Sequence, residues 1–187
     1  DESGFVRMNL AAVAALAGQT ALSDEAIRDA LNAARVDPQA VRRPSVETVL
    51  HALTFVEAGA QYVGHTHPVA VNALACSRLL EEQSLGRLFP DEIVVCGPAP
   101  AYVPYTDPGL PLACAVRDAY RRYADTWAQP PKVVIMQNHG LIALGHSPQE
   151  VDNITAMFVK TCRVLAGTFV FGGPRFLSEE NVRRIHT

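Results

Sequence analysis

The stretch that most constrains this chain is Gly64-His65-Thr66-His67-Pro68, which follows the short apolar pair Tyr62-Val63. In an extended strand alternate side chains leave the same face, so His65 and His67 point the same way from a strand end. Pro68 closes the ladder there, because it has no amide hydrogen to donate. Two neutral imidazoles directed at one point make half of a tetrahedral site for zinc or a related divalent ion. An H-x-H alone is compatible with a metal and with none. It gains weight from two other stretches, Pro44-Ser45-Val46-Glu47 upstream and Gln137-Asn138-His139-Gly140 downstream.

The rest of the chain sets bounds on what such a site can serve. A length of 187 residues fits one domain, and a chain of that size buries roughly 70% of its extended surface without staples. Aliphatic residues dominate and aromatics are few, which suits an α/β domain better than an all-β sandwich. A net charge of −3 leaves no basic footprint for nucleic acid. No apolar run is read as approaching the ~20 residues of a bilayer span, and no signal peptide opens the chain, so no membrane partner is expected. Cys76, Cys96, Cys114 and Cys162 lie far apart without a C-x-x-C. They read as reduced, mostly buried thiols of a cytoplasmic protein. The sequence opens at Asp1-Glu2-Ser3-Gly4 with no initiator methionine, as a piece of a longer protein does.

Taken in order, Phe5–Met8 reads as a short strand leading into an alanine-rich helix over Leu10–Leu16. Ser23 is placed to cap the next helix, with Asp24 and Glu25 complementing its dipole. Ser45 is expected to cap a third helix from Val46 to about Phe55, with Glu47 in its first turn and His51 one turn on, sharing a face. Read as structure alone, Glu47 is a dipole-compensating acid and His51 a half-buried packing residue. A helix is expected from Pro68 to about Glu81, then strands over Glu92–Cys96 and Ala101–Val103, a turn-rich loop over Pro104–Gly109, and a helix over Leu112–Tyr123. Lys132–Met136 reads as a core strand that delivers Gln137-Asn138-His139-Gly140, and Leu141–Leu144 as a paired strand. Ser147 and Pro148 open a long helix, and a Gly172-Gly173-Pro174 break precedes a short final one.

His139, like His65, follows a short apolar strand. Two neighbouring strands ending in histidines can bring three imidazoles together and leave a fourth position open, the layout of a catalytic zinc. Gly140 suits a place where backbone must come close. An ion with an open position can polarise a carbonyl or hold an enediolate as a C–C or C–H bond breaks. Such chemistry needs a base, and Glu47 is the best-placed carboxylate if its helix starts beside the ion. Ser45 and the helix N-terminus can receive an anion. Weaker signals come from Asp107, which turn chemistry explains as well, from His146, read as a surface loop residue, and from Arg42 and Arg43, read as a solvated pair.

In combination and order, Pro44-Ser-Val-Glu47, His51, His65-Thr-His67-Pro68, Pro104-Tyr105 and Asn138-His139-Gly140-Leu141 resemble the class II aldolase/adducin family. That family includes aldolases acting on fuculose and rhamnulose phosphates, and ribulose-phosphate epimerases. The resemblance covers roughly Phe5 to Phe169. The loop from Val103 to Ala113, which reads VPYTDPGLPLA, is most similar to an uncharacterised aldolase-like branch.

The resemblance implies an α/β fold with a central, mainly antiparallel β-sheet between helical layers, and a homotetramer with sites between subunits. It implies a lyase of carbohydrate metabolism using Zn2+, or another divalent ion such as Mn2+ or Co2+, on a small carbonyl or sugar substrate. By position His65, His67 and His139 would ligate the metal, Glu47 would be the catalytic base, and Ser45 would meet substrate. His51 and Asn138 would lie behind the ligands.

Two departures qualify the transfer. The family's Gly-Asn and Ser-Gly phosphate loops belong upstream of Phe5, and the region after the H-x-H reads Gln83-Ser-Leu-Gly86 where aldolases carry a tyrosine acid. The proton donor is thus unassigned. The same scaffold also serves epimerases, decarboxylases and, in adducin, a non-catalytic binding head.

Overall fold

The computed structural model describes residues 4–19, 22–84 and 86–186. Two helices open it. Helix α1 (Leu10–Ala15) continues into a 3-10 turn, and α2 (Asp24–Ala33) is capped by Ser23, whose hydroxyl accepts from the Ala26 amide at 3.2 Å. The Phe5–Met8 strand is not formed as such. Met8 makes a single antiparallel bridge with Arg35, flanked by hydrogen bonds from the Val36 amide to the Arg7 carbonyl at 2.9 Å and from the Asn9 amide to the Ala34 carbonyl at 2.8 Å.

Helix α3 (Thr48–Ala58) begins two residues later than the sequence suggests. The Ser45 carbonyl accepts both the amide and the hydroxyl of Thr48, at 3.1 and 2.7 Å. That turn delays the helix, makes Glu47 its N-cap residue and removes Ser45 from the capping role. Strand β1 (Tyr62–Thr66) then carries the histidines. The helix after Pro68 is shorter than expected: α4 (Val69–Ala75) stops at Cys76, and a separate α5 (Leu80–Ser84) follows.

The expected strand over Glu92–Cys96 is instead α6 (Pro90–Cys96). Its β-branched run imitates a strand, but Pro90 at the first position and Asp91 and Glu92 in the first turn are helix-start chemistry. Burial of Glu92, Ile93 and Cys96 follows helical spacing and leaves Val94 outside. Glu92 turns inward onto Arg87, with Nη1–Oε1 at 2.9 Å, and also accepts the Leu88 amide. The Arg87 guanidinium also donates to the Gly97 and Gly86 carbonyls, at 3.1 and 3.0 Å, which offsets part of the cost of burying the pair.

Strand β2 (Ala101–Val103), helix α7 (Leu110–Trp127), strands β3 (Val133–Met136) and β4 (Gly140–Gly145), and helices α8 (Pro148–Thr168) and α9 (Glu179–His186) complete the order. The sheet runs β1-β4-β3-β2, antiparallel across β1/β4 and β4/β3 and parallel across β3/β2. Every residue of β3 and β4 is buried. Period-2 alternation sends Val134, Met136, Ile142 and Leu144 into one core with residues of α1, α2, α3 and α7. Val133, Ile135, Leu141 and Ala143 go into the other, with α4, α6 and α8. The result is the three-layer α/β arrangement with a mainly antiparallel sheet.

Helix α8 starts on a serine cap: Ser147 Oγ accepts the Glu150 amide, and Glu150 Oε2 reaches back to accept the His146 amide, one residue before the N-cap. Residues 148–171 are long and apolar enough, by length and composition, to cross a membrane. This corrects the expectation of no such run, since isolated charges such as Asp152 and Lys160 hide it from a contiguous count. Its inner face, Ile154, Phe158, Cys162 and Leu165, is buried in the fold.

Candidate metal centre

His65 and His67 leave the same end of the sheet. Their Nε2 atoms lie 3.3 Å apart, as alternation along β1 requires. His139 reaches them because the β3–β4 hairpin folds back: β3 ends at Met136, three residues turn, and β4 returns beside β1 with Thr66 opposite Leu141. The turn puts Asn138 at φ 54°, a left-handed conformation that asparagine tolerates better than most residues. The Asn138 amide donates to the Ala75 carbonyl at 3.0 Å. Ring centroids of the three histidines are 5.1–5.2 Å apart, and one nitrogen from each lies within 4.8 Å of the others.

Gly140 makes the approach possible. A Cβ there would sit 2.8 Å from the Thr66 carbonyl and overlap the His67 ring. Any side chain at this position would displace either the strand or the imidazole.

Glu47 enters from the N-cap of α3. Its Oε1 lies 3.0 Å from His139 Nε2 and its Oε2 3.5 Å from His65 Nδ1. His51, one turn on, brings Nε2 within 3.2 Å of the same His65 Nδ1. The two ring nitrogens of His65 therefore face different company: Nδ1 meets Glu47 and His51, and Nε2 meets His67. A proton on Nδ1 has acceptors at hand, and that tautomer turns the Nε2 lone pair toward the cluster.

Burial sets the charge state. His65, its side chain only 7% exposed, is pushed down to about 3 by burial first and then by the imidazoles of His51, His139 and His67. His51 is lowered by burial, partly opposed by Glu47. Both are neutral near pH 7, the state that binding a cation through an imidazole nitrogen requires.

The residues present fit a divalent cation. His139 Nε2 is buried with no aligned hydrogen-bond partner, although Glu47 Oε1 lies near it. Nitrogen lone pairs and a carboxylate converge with few donors between them, an arrangement a cation satisfies and a proton satisfies only in part. Glu47, His51 and His65 form a second group with metal-ligand spacing.

The other sequence candidates make their hydrogen bonds outside this cluster. Ser45 is exposed at the turn before α3. Tyr105 is 58% exposed and donates its hydroxyl to Asp107 at 3.1 Å. His146 serves α8 through its amide. Among the described residues, a cavity of about 920 Å³ is lined by Ile27, Arg28, Arg43, Val46, Asp107 and Leu110 among others, and by none of the histidines. It gathers Arg43 and Asp107, two weak candidates from the sequence, on one wall system beside the start of α3.

Comparison with known proteins bears on what this arrangement belongs to. The Class II Aldolase and Adducin N-terminal domain matches residues 12–166. No curated protein matches the chain. Among solved structures, the N-terminal class II aldolase domain of a conserved protein from Thermoplasma acidophilum is 24% identical with a TM-score of 0.69, over 88% of this chain and 67% of that one. YgbL from Escherichia coli, a candidate aldolase/epimerase/decarboxylase, is 20% identical with a TM-score of 0.58, over 79% and 68%. An L-fuculose 1-phosphate aldolase is 20% identical with a TM-score of 0.65, over 81% and 66%. At these identities the likenesses establish a common fold, and the chain spans about two thirds of each relative's length.

Proposed function

This chain belongs to the class II aldolase and adducin family, and from that premise we propose that it is a divalent-metal-dependent lyase. It would cleave or form a C–C bond beside a carbonyl of a sugar phosphate or related hydroxy-carbonyl compound. The observation that carries the reading is the convergence of His65, His67 and His139 on one point within reach of the Glu47 carboxylate.

In this reading His65, His67 and His139 hold the ion, which is Zn2+ or another divalent cation such as Mn2+ or Co2+. When bound, it supplies Lewis acidity that stabilises negative charge developing on a substrate oxygen. Glu47, its side chain 25% exposed at the edge of the cluster, takes the proton at the substrate carbon or hydroxyl and later returns it. His51 Nε2 accepts from the protonated His65 Nδ1 in this tautomer and so holds that ring in one orientation. Asn138 shapes the turn that presents His139. Ser45, exposed beside Glu47 at the start of α3, meets an anionic part of the substrate.

The reading treats the 187 residues as one such domain. It also takes the protein as a cytoplasmic homotetramer. Support comes from exposed apolar side chains such as Val69, 87% exposed one residue past Pro68, and Phe171, 90% exposed, which a subunit contact would cover.

Epimerisation or decarboxylation on the same residues is the second reading, favoured by the fold shared with YgbL. A non-catalytic head like that of adducin has no need of three converging histidines and a carboxylate.

The test is an assay of metal-free and metal-loaded protein for aldehyde release across ketose phosphates and hydroxy-ketoacids, with products identified by NMR. Metal-dependent cleavage is the expected result. Metal-dependent product without cleavage selects the second reading, and indifference to metal overturns both.

A further inference from the structure

Gln137 stands two residues before His139, in the turn between β3 and β4. Its Oε1 accepts two hydrogen bonds, from the Tyr102 hydroxyl at 3.1 Å and from the Tyr105 amide at 3.0 Å. Its own amide donates to the Val103 carbonyl at 2.9 Å, and the Asn138 amide donates to Ala75 at 3.0 Å. The turn is thereby tied on one side to β2 and the loop after it, and on the other to the end of α4.

The side-chain bonds matter because β2 is an edge strand of only three residues and the backbone ladder beyond Val103 has run out. Two donors meeting on one oxygen need an acceptor with two lone pairs at that reach. Only glutamine or glutamate meets that requirement here. A shift of the turn is passed directly to the His139 ring, since Asn138 alone intervenes. Metal sites lose affinity when ligands stray by about half an ångström.

We propose that Gln137 is a positioning residue for the metal centre. It holds the 137–139 turn against Tyr102 and the Tyr105 loop and so sets His139 among its fellow ligands. This rests on the reading of His65, His67 and His139 as ligands. Gln137 itself touches neither metal nor substrate in this role.

The test is cobalt(II) binding to the full chain, followed by affinity and by the visible ligand-field spectrum, for wild type, Gln137→Leu, Gln137→Glu and Tyr102→Phe. Gln137→Leu is expected to weaken cobalt binding roughly tenfold, the low end for supports of metal ligands, and to alter the spectrum. Gln137→Glu keeps an oxygen for both donors and is expected to restore the wild-type spectrum. Tyr102→Phe removes one donor and is expected to fall between, which keeps the test decisive if Gln137→Leu folds poorly. Wild-type affinity and spectrum in Gln137→Leu, or in Tyr102→Phe where Gln137→Leu does not fold, overturn the proposal. So does equal impairment of the Leu and Glu variants. Absence of cobalt binding by the wild type overturns the metal reading itself, and the role of Gln137 with it.

Discussion

Glu47 Oε1 lies 3.0 Å from His139 Nε2, so the N-cap of one helix and the tip of a distant hairpin share a single site. If Glu47 is the base, Glu47→Gln keeps the shape and removes the proton acceptor. Turnover is expected to fall by roughly 10²–10⁴ while one ion per chain is still retained. Elemental analysis beside a cleavage assay separates the two effects. Loss of the ion with the activity would make Glu47 a ligand instead.

Metal removal should lower stability. An ion bound at a hundredfold excess over its dissociation constant adds about 2.7 kcal/mol to the folded state. Chelation is therefore expected to lower the thermal midpoint, and His67→Ala is expected to abolish that response. The measurement is a melting curve with and without chelator for each protein.

Gly140→Ala places a methyl group against the Thr66 carbonyl, 2.8 Å away, and into the His67 ring. The backbone oxygen cannot rotate aside, so the strand end or the imidazole must move. Destabilisation of about 1–3 kcal/mol is expected in urea unfolding, together with weaker metal binding. Unchanged binding would mean that His67 is free to shift.

Acid should destabilise the metal-free protein in part through His65. Its folded value of about 3 lies below the ordinary histidine value of 6.5. The unfolded chain therefore binds a proton that the fold refuses, and this contribution to stability is present above pH 6.5 and lost as the pH falls toward 3. The thermal midpoint of wild type is expected to drop more steeply between pH 7 and 4 than that of His65→Asn. Parallel curves would refute this assignment.

The Arg87–Glu92 pair offers a test far from the site. Arg87 is 1% and Glu92 0% exposed, and Glu92→Ala leaves the guanidinium buried without its counter-charge. A loss of about 3–5 kcal/mol is expected in urea unfolding, and the double variant Arg87→Met with Glu92→Leu should recover much of it.

Ile93, Val94 and Val95 carry β-branched side chains that suit a strand, and only Pro90 with two following acids signals the helix they form. Ser45 looked like a cap, yet the hydroxyl of Thr48 competed for its carbonyl and moved the helix start to Thr48. In both places the deciding residue, Pro90 or Thr48, lies within three residues but competes with a stronger-looking pattern beside it. The helices capped by Ser23 and Ser147 are legible because there the serine hydroxyl itself accepts the capping bond.

What the sequence by itself determined was the chemistry on offer: an H-x-H at a strand end, a histidine beside a glycine, and an acid ahead of a helix. Period-2 alternation even told which way His65 and His67 point. Only the tertiary structure decided that β4 pairs with β1, and so that the hairpin tip carrying His139 meets those rings. It alone revealed that Gln137 is tied to Tyr102 and Tyr105, and that His51 stands against His65. Side-chain direction follows from the backbone of a few residues, whereas distance between strands depends on pairing and packing across the whole chain.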